Sequence, residues 1–226
     1  MIVQPQQTNS AADAAAQAKT EPYADAALAA LMGAGVVRSY PKRSILITEG
    51  DSGGFLLAVL SGRVKVYTSD AKGKELVLDH CGPGEILGEM SMDGGLRCAS
   101  VMAVEATRCA LITHAHLRER LAADPGLTLE LINLLIQRAR VATRRAKELA
   151  LANVYQRVAR LLEALAQPDA AGTLTVPERL SQQAIAERVG ASRDMIRRVF
   201  KVLIEGAYLE ANGHGIRILK KLPPDW

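Results

Sequence analysis

Ser181-Gln-Gln-Ala-Ile-Ala-Glu-Arg-Val-Gly-Ala-Ser-Arg-Asp-Met-Ile-Arg-Arg-Val-Phe-Lys201 reads as two short helices separated by a tight turn. Ser181 and Ser192 each stand just before a helix-forming run, where a serine hydroxyl accepts a bond from an otherwise orphaned backbone amide. Val189-Gly190-Ala191 breaks the first run, and glycine suits the left-handed residue that ends a helix. Ile185, Val189, Ile196, Val199, Val202 and Leu203 are spaced to hold the pair together. The second helix, from Ser192 to about Ile204, carries Arg193, Asp194, Arg197, Arg198 and Lys201. This arrangement has helix-turn-helix geometry, in which the first residues of the second helix meet base edges in the major groove. Arg193 can donate two bonds to guanine O6 and N7, and Asp194 can accept from cytosine N4. Arg198, one turn on, reaches a second base or a phosphate, and the amides capped by Ser192 favour a phosphate nearby. An ordinary helical hairpin with a solvated arginine face would show the same pattern.

Upstream, a helix is expected from about Val154 to Ala166, ending before Pro168, and before it a much longer one. After Asp124-Pro125-Gly126 apolar residues recur at three and four until about Leu151. One heptad phase places Ile132, Leu135, Ala139, Ala142, Ala146 and Leu149 on a single stripe, which suits a seam between two copies of the helix. Downstream, a hairpin-like tail turns at Asn212-Gly213-His214-Gly215.

From Val36 to about Thr113 the pattern is different. Ser44-Ile-Leu-Ile47, Phe55-Leu-Leu-Ala-Val-Leu60, Val64-Lys-Val-Tyr67 and Glu75-Leu-Val-Leu78 are short runs bounded by turn formers such as Ser61-Gly62 and Cys81-Gly82-Pro83-Gly84. Strands at this spacing indicate a small barrel or sandwich, so the chain is of the α+β class. The expected divisions are a disordered tail over 1–20, a β-rich domain over 21–124, a dimerisation helix over 125–151 and the helix-turn-helix domain over 152–226. A short helix is expected from about Pro22 to Met32.

The whole chain carries +4, but unevenly: 16 Lys and Arg against 9 Asp and Glu follow Gln137, so that part carries +7 and the part before it −3. The positive end suits a polyanion. No apolar run of membrane-spanning length occurs, and the N-terminus lacks the basic and apolar regions of a secretory signal, so a cytoplasmic protein is expected. Cys81, Cys98 and Cys109 form no Cys-x-x-Cys pair and are expected to be reduced core residues. No metal is expected: His80, Cys81, His114 and His116 are read as structural.

The helix-turn-helix stretch resembles the DNA-binding motif of the cyclic-AMP receptor protein/FNR family, and the resemblance extends over roughly Val36 to Leu219. It implies a cyclic-nucleotide-binding, jelly-roll-like β-roll, a long dimerisation helix and a winged helix-turn-helix. In the family the residues at Arg193, Asp194 and Arg198 contact bases. Asp194 departs from the usual Glu, and Arg197 replaces a small residue. Gly82-Pro-Gly-Glu-Ile-Leu-Gly-Glu-Met90, followed by Arg97-Cys98-Ala-Ser-Val101, is similar to the family's phosphate-binding cassette. The resemblance implies that Arg97 holds a cyclic phosphate, Glu89 accepts a ribose 2′-hydroxyl, and Gly88 and Met90 give close backbone approach. It also implies double-stranded DNA and RNA polymerase as partners.

Two departures bear on the ligand. Cys98 stands where cyclic-AMP binders carry Ser or Thr, and Ala142 and Thr143 stand where they offer two hydroxyls to adenine. Cyclic di-GMP, answered to by some members of the family, is placed ahead of cyclic AMP, because Ala139, Ala142 and Ala146 beside Arg138, Arg140, Arg144 and Arg145 leave room and charge for a larger dianion. A solvated basic helix face is the alternative. A constitutive DNA binder with a degenerate sensor, and a nucleotide module regulating a protein partner, remain open. No triad, metal-ligand or triphosphate-loop signature is found, so no enzyme is expected.

Overall fold

Phe55 to Leu60 is apolar at every position because strand β3 (Phe55–Ser61) is covered on both faces. Leu56 and Ala58 belong to one core with Ile86, Ala110, Ile112, Leu117 and Leu127, on the side of the helices. Leu57 and Val59 belong to a second core with Ile47, Val64, Leu87, Val101 and Cys109, between two sheets. The computed structural model describes residues 31, 33, 35–169, 172–177, 180–212 and 215–224. The tail expected over 1–20 lies outside them, as does most of the helix expected from Pro22 to Met32, although Leu31 and Gly33 are helical.

The remaining strands of the β-rich domain are β1 (Val36–Tyr40), β2 (Ile45–Ile47), β4 (Val64–Ser69), β5 (Glu75–Cys81), β6 (Ile86–Leu87), β7 (Ser100–Ala103) and β8 (Thr107–Thr113). They form two four-stranded antiparallel sheets, ordered β1-β8-β3-β6 and β2-β7-β4-β5. This is a two-sheet arrangement of the kind expected from the run spacing, and the β-roll that the resemblance implies. Helix α1 (His114–Ala123) follows, then the long α2 (Pro125–Leu151). Asp124 caps α2 through bonds from the Gly126 and Leu127 amides, and Pro125, at its first position, has no amide to leave unpaired.

Helix α3 (Val154–Leu165) opens with an Asn153–Gln156 capping box. Strands β9 (Gln167–Pro168), β10 (Leu174–Val176), β11 (Leu209–Asn212) and β12 (Gly215–Ile218) make one antiparallel sheet in the order β11-β12-β10-β9. The expected hairpin tail is thus the edge of a larger wing. Helices α4 (Gln182–Val189) and α5 (Arg193–Glu205) pack on α3 and this sheet around Val158, Leu162, Val176, Ile185, Ile196, Phe200, Leu203 and Ile216.

The two halves touch. Helix α4 packs against β5, and a Cβ added at Gly190 would lie 3.2 Å from Leu149 of α2 and 3.3 Å from Leu76 of β5. Arg157 of α3 donates to the Val189 carbonyl at 2.9 Å and to the Ala152 carbonyl at 2.6 Å. One guanidinium therefore ties the end of α2 to the turn of the helix-turn-helix.

Candidate ligand pocket and DNA-reading surface

The cassette turns at Gly88, whose φ of 85° is left-handed and opens a short 3-10 turn over Glu89–Ser91. A Cβ at Gly88 would stand 2.5 Å from Arg97 Nη1, so glycine is required both for the backbone and for the arginine. Arg97 is 5% exposed. Its Nη1 donates to the Gly88 carbonyl and to Ser91 Oγ, each at 2.8 Å, and its Nη2 donates to the Phe55 carbonyl at 2.8 Å. The guanidinium also lies 4.7 Å from the Phe55 ring centroid. Burial lowers the Arg97 pKa against the opposing pull of Glu89, yet three neutral acceptors and a ring face still hold the charge.

Glu89 is 2% exposed and forms an ion pair with Arg138 of α2. Arg138 also donates to the Ile86 carbonyl. Burial works against the Arg138 charge, but the adjacent Glu89 carboxylate outweighs it and holds the guanidinium above its ordinary range. The structure thus brings together Gly88, Glu89, Met90, Arg97 and Cys98, and adds Arg138. The sequence offers Arg138 among four arginines beside the apolar stripe with charge for a dianion, without singling it out or pairing it with Glu89. Its signal was its place on α2, five residues or about 7.5 Å of helix before Thr143.

Two residues stand differently from expectation. Cys98 is exposed rather than in a core, with its Sγ 3.7 Å from the sulfur of the exposed Met90. Cys81 and Cys109 are the buried pair, and burial pushes the Cys109 thiol up to about 11 and that of Cys81 further. Thr143 is exposed on α2 and its hydroxyl bonds to the Ala139 carbonyl at 2.9 Å. No bond joins it to the cassette within the described residues of this single chain. Ala139, Ala142 and Ala146 share its exposure, as do Ile132 at 45%, Leu135 at 37% and Leu149 at 45%.

Behind Arg97 sits His114, 8% exposed, with its Nε2 buried and unpartnered. Burial, then the charges of Arg97 and Arg118, push its pKa down against a hydrogen bond to the Phe55 backbone.

The reading surface is built in the opposite manner. Ser181 Oγ accepts from the Ala184 amide at 3.1 Å and Ser192 Oγ from the Met195 amide at 3.2 Å, so both expected caps are in place. Gly190, at φ 66°, ends α4. Ile196, Phe200 and Leu203 bury one face of α5, whereas Val199 and Val202 are only half-buried. Phe200 was missed, although its spacing of four from Ile196 marks it. Arg193, Asp194, Arg197, Arg198 and Lys201 are exposed together on the other face. Asp194 Oδ1 lies 2.8 Å from Arg197 Nη2, and Asp194 Oδ2 lies 2.8 Å from Arg198 Nη2. Arg193 has no ion pair or side-chain hydrogen bond among the described residues.

A polar cassette inside a β-roll, a long helix carrying an exposed apolar stripe and a cationic helix-turn-helix define a ligand-responsive DNA-binding regulator. Residues 37–124 match the cyclic nucleotide-binding domain family and residues 156–221 the Crp-like helix-turn-helix domain family. The chain is 30% identical over 187 residues to the cAMP-activated global transcriptional regulator CRP of Salmonella typhimurium, covering 80% of this chain and 88% of that one. It is 31% identical to the regulator of the same name from Haemophilus influenzae, covering 80% and 82%. The c-di-GMP responsive global regulator CLP of Xanthomonas campestris superposes with a TM-score of 0.75 at 29% identity, over 87% of this chain and 100% of that one. The chain belongs to the cyclic-AMP receptor protein/FNR family of transcription regulators, whose members are not enzymes. Among the described residues no helix is long and apolar enough to cross a membrane.

Proposed function

We propose that this chain is a cytoplasmic homodimer that binds palindromic DNA under the control of a cyclic nucleotide. Residues 21–124 form the sensor, 125–151 the dimerisation helix and 152–226 the reader. The observation that carries the reading is the meeting of Glu89 and Arg138: the carboxylate that would accept a ribose hydroxyl is already bonded to the dimerisation helix. A nucleotide that takes the 2′-hydroxyl to Glu89 and a phosphate to Arg97 or Arg138 must break or share that pair. Binding then acts directly on α2, whose exposed Ile132, Leu135, Ala139, Ala142, Ala146 and Leu149 would form the seam with a second copy. Thr143 would face the base across that seam. Arg193 and Arg198 read bases, Ser192, Arg197 and Lys201 contact the backbone, and RNA polymerase is the partner on DNA.

Cyclic di-GMP is favoured over cyclic AMP. Two guanidiniums, the buried Arg97 and the half-buried Arg138, flank Glu89 and suit a ligand with two phosphates, while the hydroxyl donors lost at Cys98 and Ala142 disfavour cyclic AMP. The experiment is calorimetric titration of the full chain with each nucleotide, alongside DNA affinity with and without it. Micromolar binding of cyclic di-GMP and a changed DNA affinity are expected. The satisfaction of Arg97 by three protein acceptors favours a second reading, a constitutive DNA binder with a self-filled pocket. Binding of neither nucleotide, with specific DNA affinity intact, would establish that one instead.

A further inference from the structure

The reading helix carries four exposed cations and two exposed carboxylates: Glu205, at its end, lies 3.8 Å from Lys201, and Asp194, in its first turn, is not offered to solvent alone. Asp194 is bracketed: Arg197 donates to its Oδ1 through Nε at 3.2 Å and Nη2 at 2.8 Å, and Arg198 approaches its Oδ2 at 2.8 Å. Both carboxylate oxygens are therefore engaged along the helix. The spacing makes this local, since residues three and four apart share a helix face.

A base edge has to compete with that bracket. Cytosine N4 offers a neutral donor, whereas each guanidinium offers a charge-assisted bond of about twice the strength. Asp is also a short side chain, so leaving the guanidiniums to reach a base would exchange three contacts for one. Arg198 differs, because guanine O6 and N7 can satisfy it without removing Asp194 from Arg197.

We propose that Arg197 is a specificity-determining residue of this helix: it holds Asp194 out of base reading and makes it a bracket that presents Arg198 to the groove. The inference rests on α5 being the recognition helix. It goes beyond that reading by assigning which side chains select bases. The half-site is then read by Arg193 and Arg198, and the base pair opposite Asp194 is left nearly unselected.

Randomised half-site selection with the full-length protein tests this, using wild type, Arg197→Ala, Asp194→Asn, the double variant Arg197→Ala/Asp194→Asn, and Arg193→Ala as control. All these positions are exposed, so the variants fold, and circular dichroism checks it. Wild type should show less than about threefold preference at the pair opposite Asp194, and Arg197→Ala should acquire roughly tenfold preference for cytosine there. The double variant should lose that preference. Asp194→Asn alone should blur selection at the base read by Arg198 instead. The inference is overturned if wild type already selects cytosine strongly, Asp194→Asn abolishes it and Arg197→Ala leaves it unchanged. If Arg193→Ala loses specificity while Arg197→Ala gains none, only this inference falls. If every α5 variant selects the wild-type site, the assignment of α5 as the reader falls with it.

Discussion

Glu89–Arg138 and Asp194–Arg197–Arg198 are the same chemistry in two dielectrics. The first joins the sensor turn to α2, with a carboxylate side chain 1% exposed and a guanidinium 29% exposed. The second lies on the open face of α5, where Asp194 is 50% exposed and its arginines about 70%. A buried pair depends on both partners, because either charge alone inside the protein is costly. An exposed set contributes little to folding stability, because water and salt screen each charge whether or not it is paired. The difference matches the two tasks: a sensor must resist change until a ligand offers the buried groups new partners, and a reader must keep its charges at the surface, where DNA can meet them.

The contrast is broken most severely at Arg138. Arg138→Met leaves Glu89 buried without its cation and should cost about 3 kcal/mol, near the low end for such losses because Arg138 keeps some solvent contact. Adding Glu89→Gln should recover most of this, since a neutral pair of similar volume needs no partner charge. Urea unfolding of the three proteins measures it. A loss below about 1 kcal/mol for the single variant would mean that the pair is solvated and the comparison false.

The next effect is in recognition rather than stability. Arg193→Ala should lower discrimination between the specific site and random duplex by about 2 kcal/mol, the scale of one bidentate guanine contact, with no change in unfolding. Fluorescence anisotropy on both duplexes reads it. An equal loss on the two would place Arg193 on phosphate.

The same contrast explains what could be read from the amino acids. The caps and turn of the reader were legible, because they are local: Ser181, Gly190 and Ser192 stand where expected, although the core face of α5 was read without Phe200. That residues 36–113 form short strands in a small barrel or sandwich was legible from run spacing, as the apolar run of β3 shows, whereas the β-roll itself came from the resemblance. Helix α1 was not, since His114-Ala-His-Leu-Arg-Glu-Arg-Leu-Ala-Ala123 has polar residues on every side and buries only His114 and Leu117. Strands β9 and β10 were too short, at two and three residues, to carry a period. The pairing of Arg138 with Glu89 escaped because the two lie 49 residues apart, and nothing local distinguishes Arg138 from Arg140, Arg144 and Arg145. Long-range burial, which decides the sensor, leaves little trace in sequence pattern.

Acid probes the buried region from a second side. His114 is held neutral by burial and by Arg97 and Arg118, so the folded protein takes up this proton less readily than the unfolded chain does near pH 6.5. Its contribution to stability is whole above about pH 6.5 and declines as the pH falls below that value, until the folded protein is protonated too. Thermal midpoints should therefore drop from pH 7.5 to pH 5.5, and His114→Gln should flatten the drop. Parallel profiles for the two proteins would show that His114 stays exposed enough to protonate without strain.

The smallest effect should come from the exposed set itself. Asp194→Asn removes a carboxylate from between two guanidiniums, and Arg197 and Arg198 are then left side by side on the helix. In the interior that would be severe, but here both arginines point into water and repel through a high dielectric. Salt screens what is left, with a Debye length of about 8 Å at physiological ionic strength and about 3 Å at 1 M. The unfolding midpoint of Asp194→Asn should thus match wild type within measurement error in 1 M salt and differ only slightly in low salt. Glu89→Gln, which leaves Arg138 buried against a neutral partner, should keep its deficit at both. If salt erased the Glu89→Gln deficit as well, the sensor pair would be open to ions, and a ligand would no longer be needed to release α2.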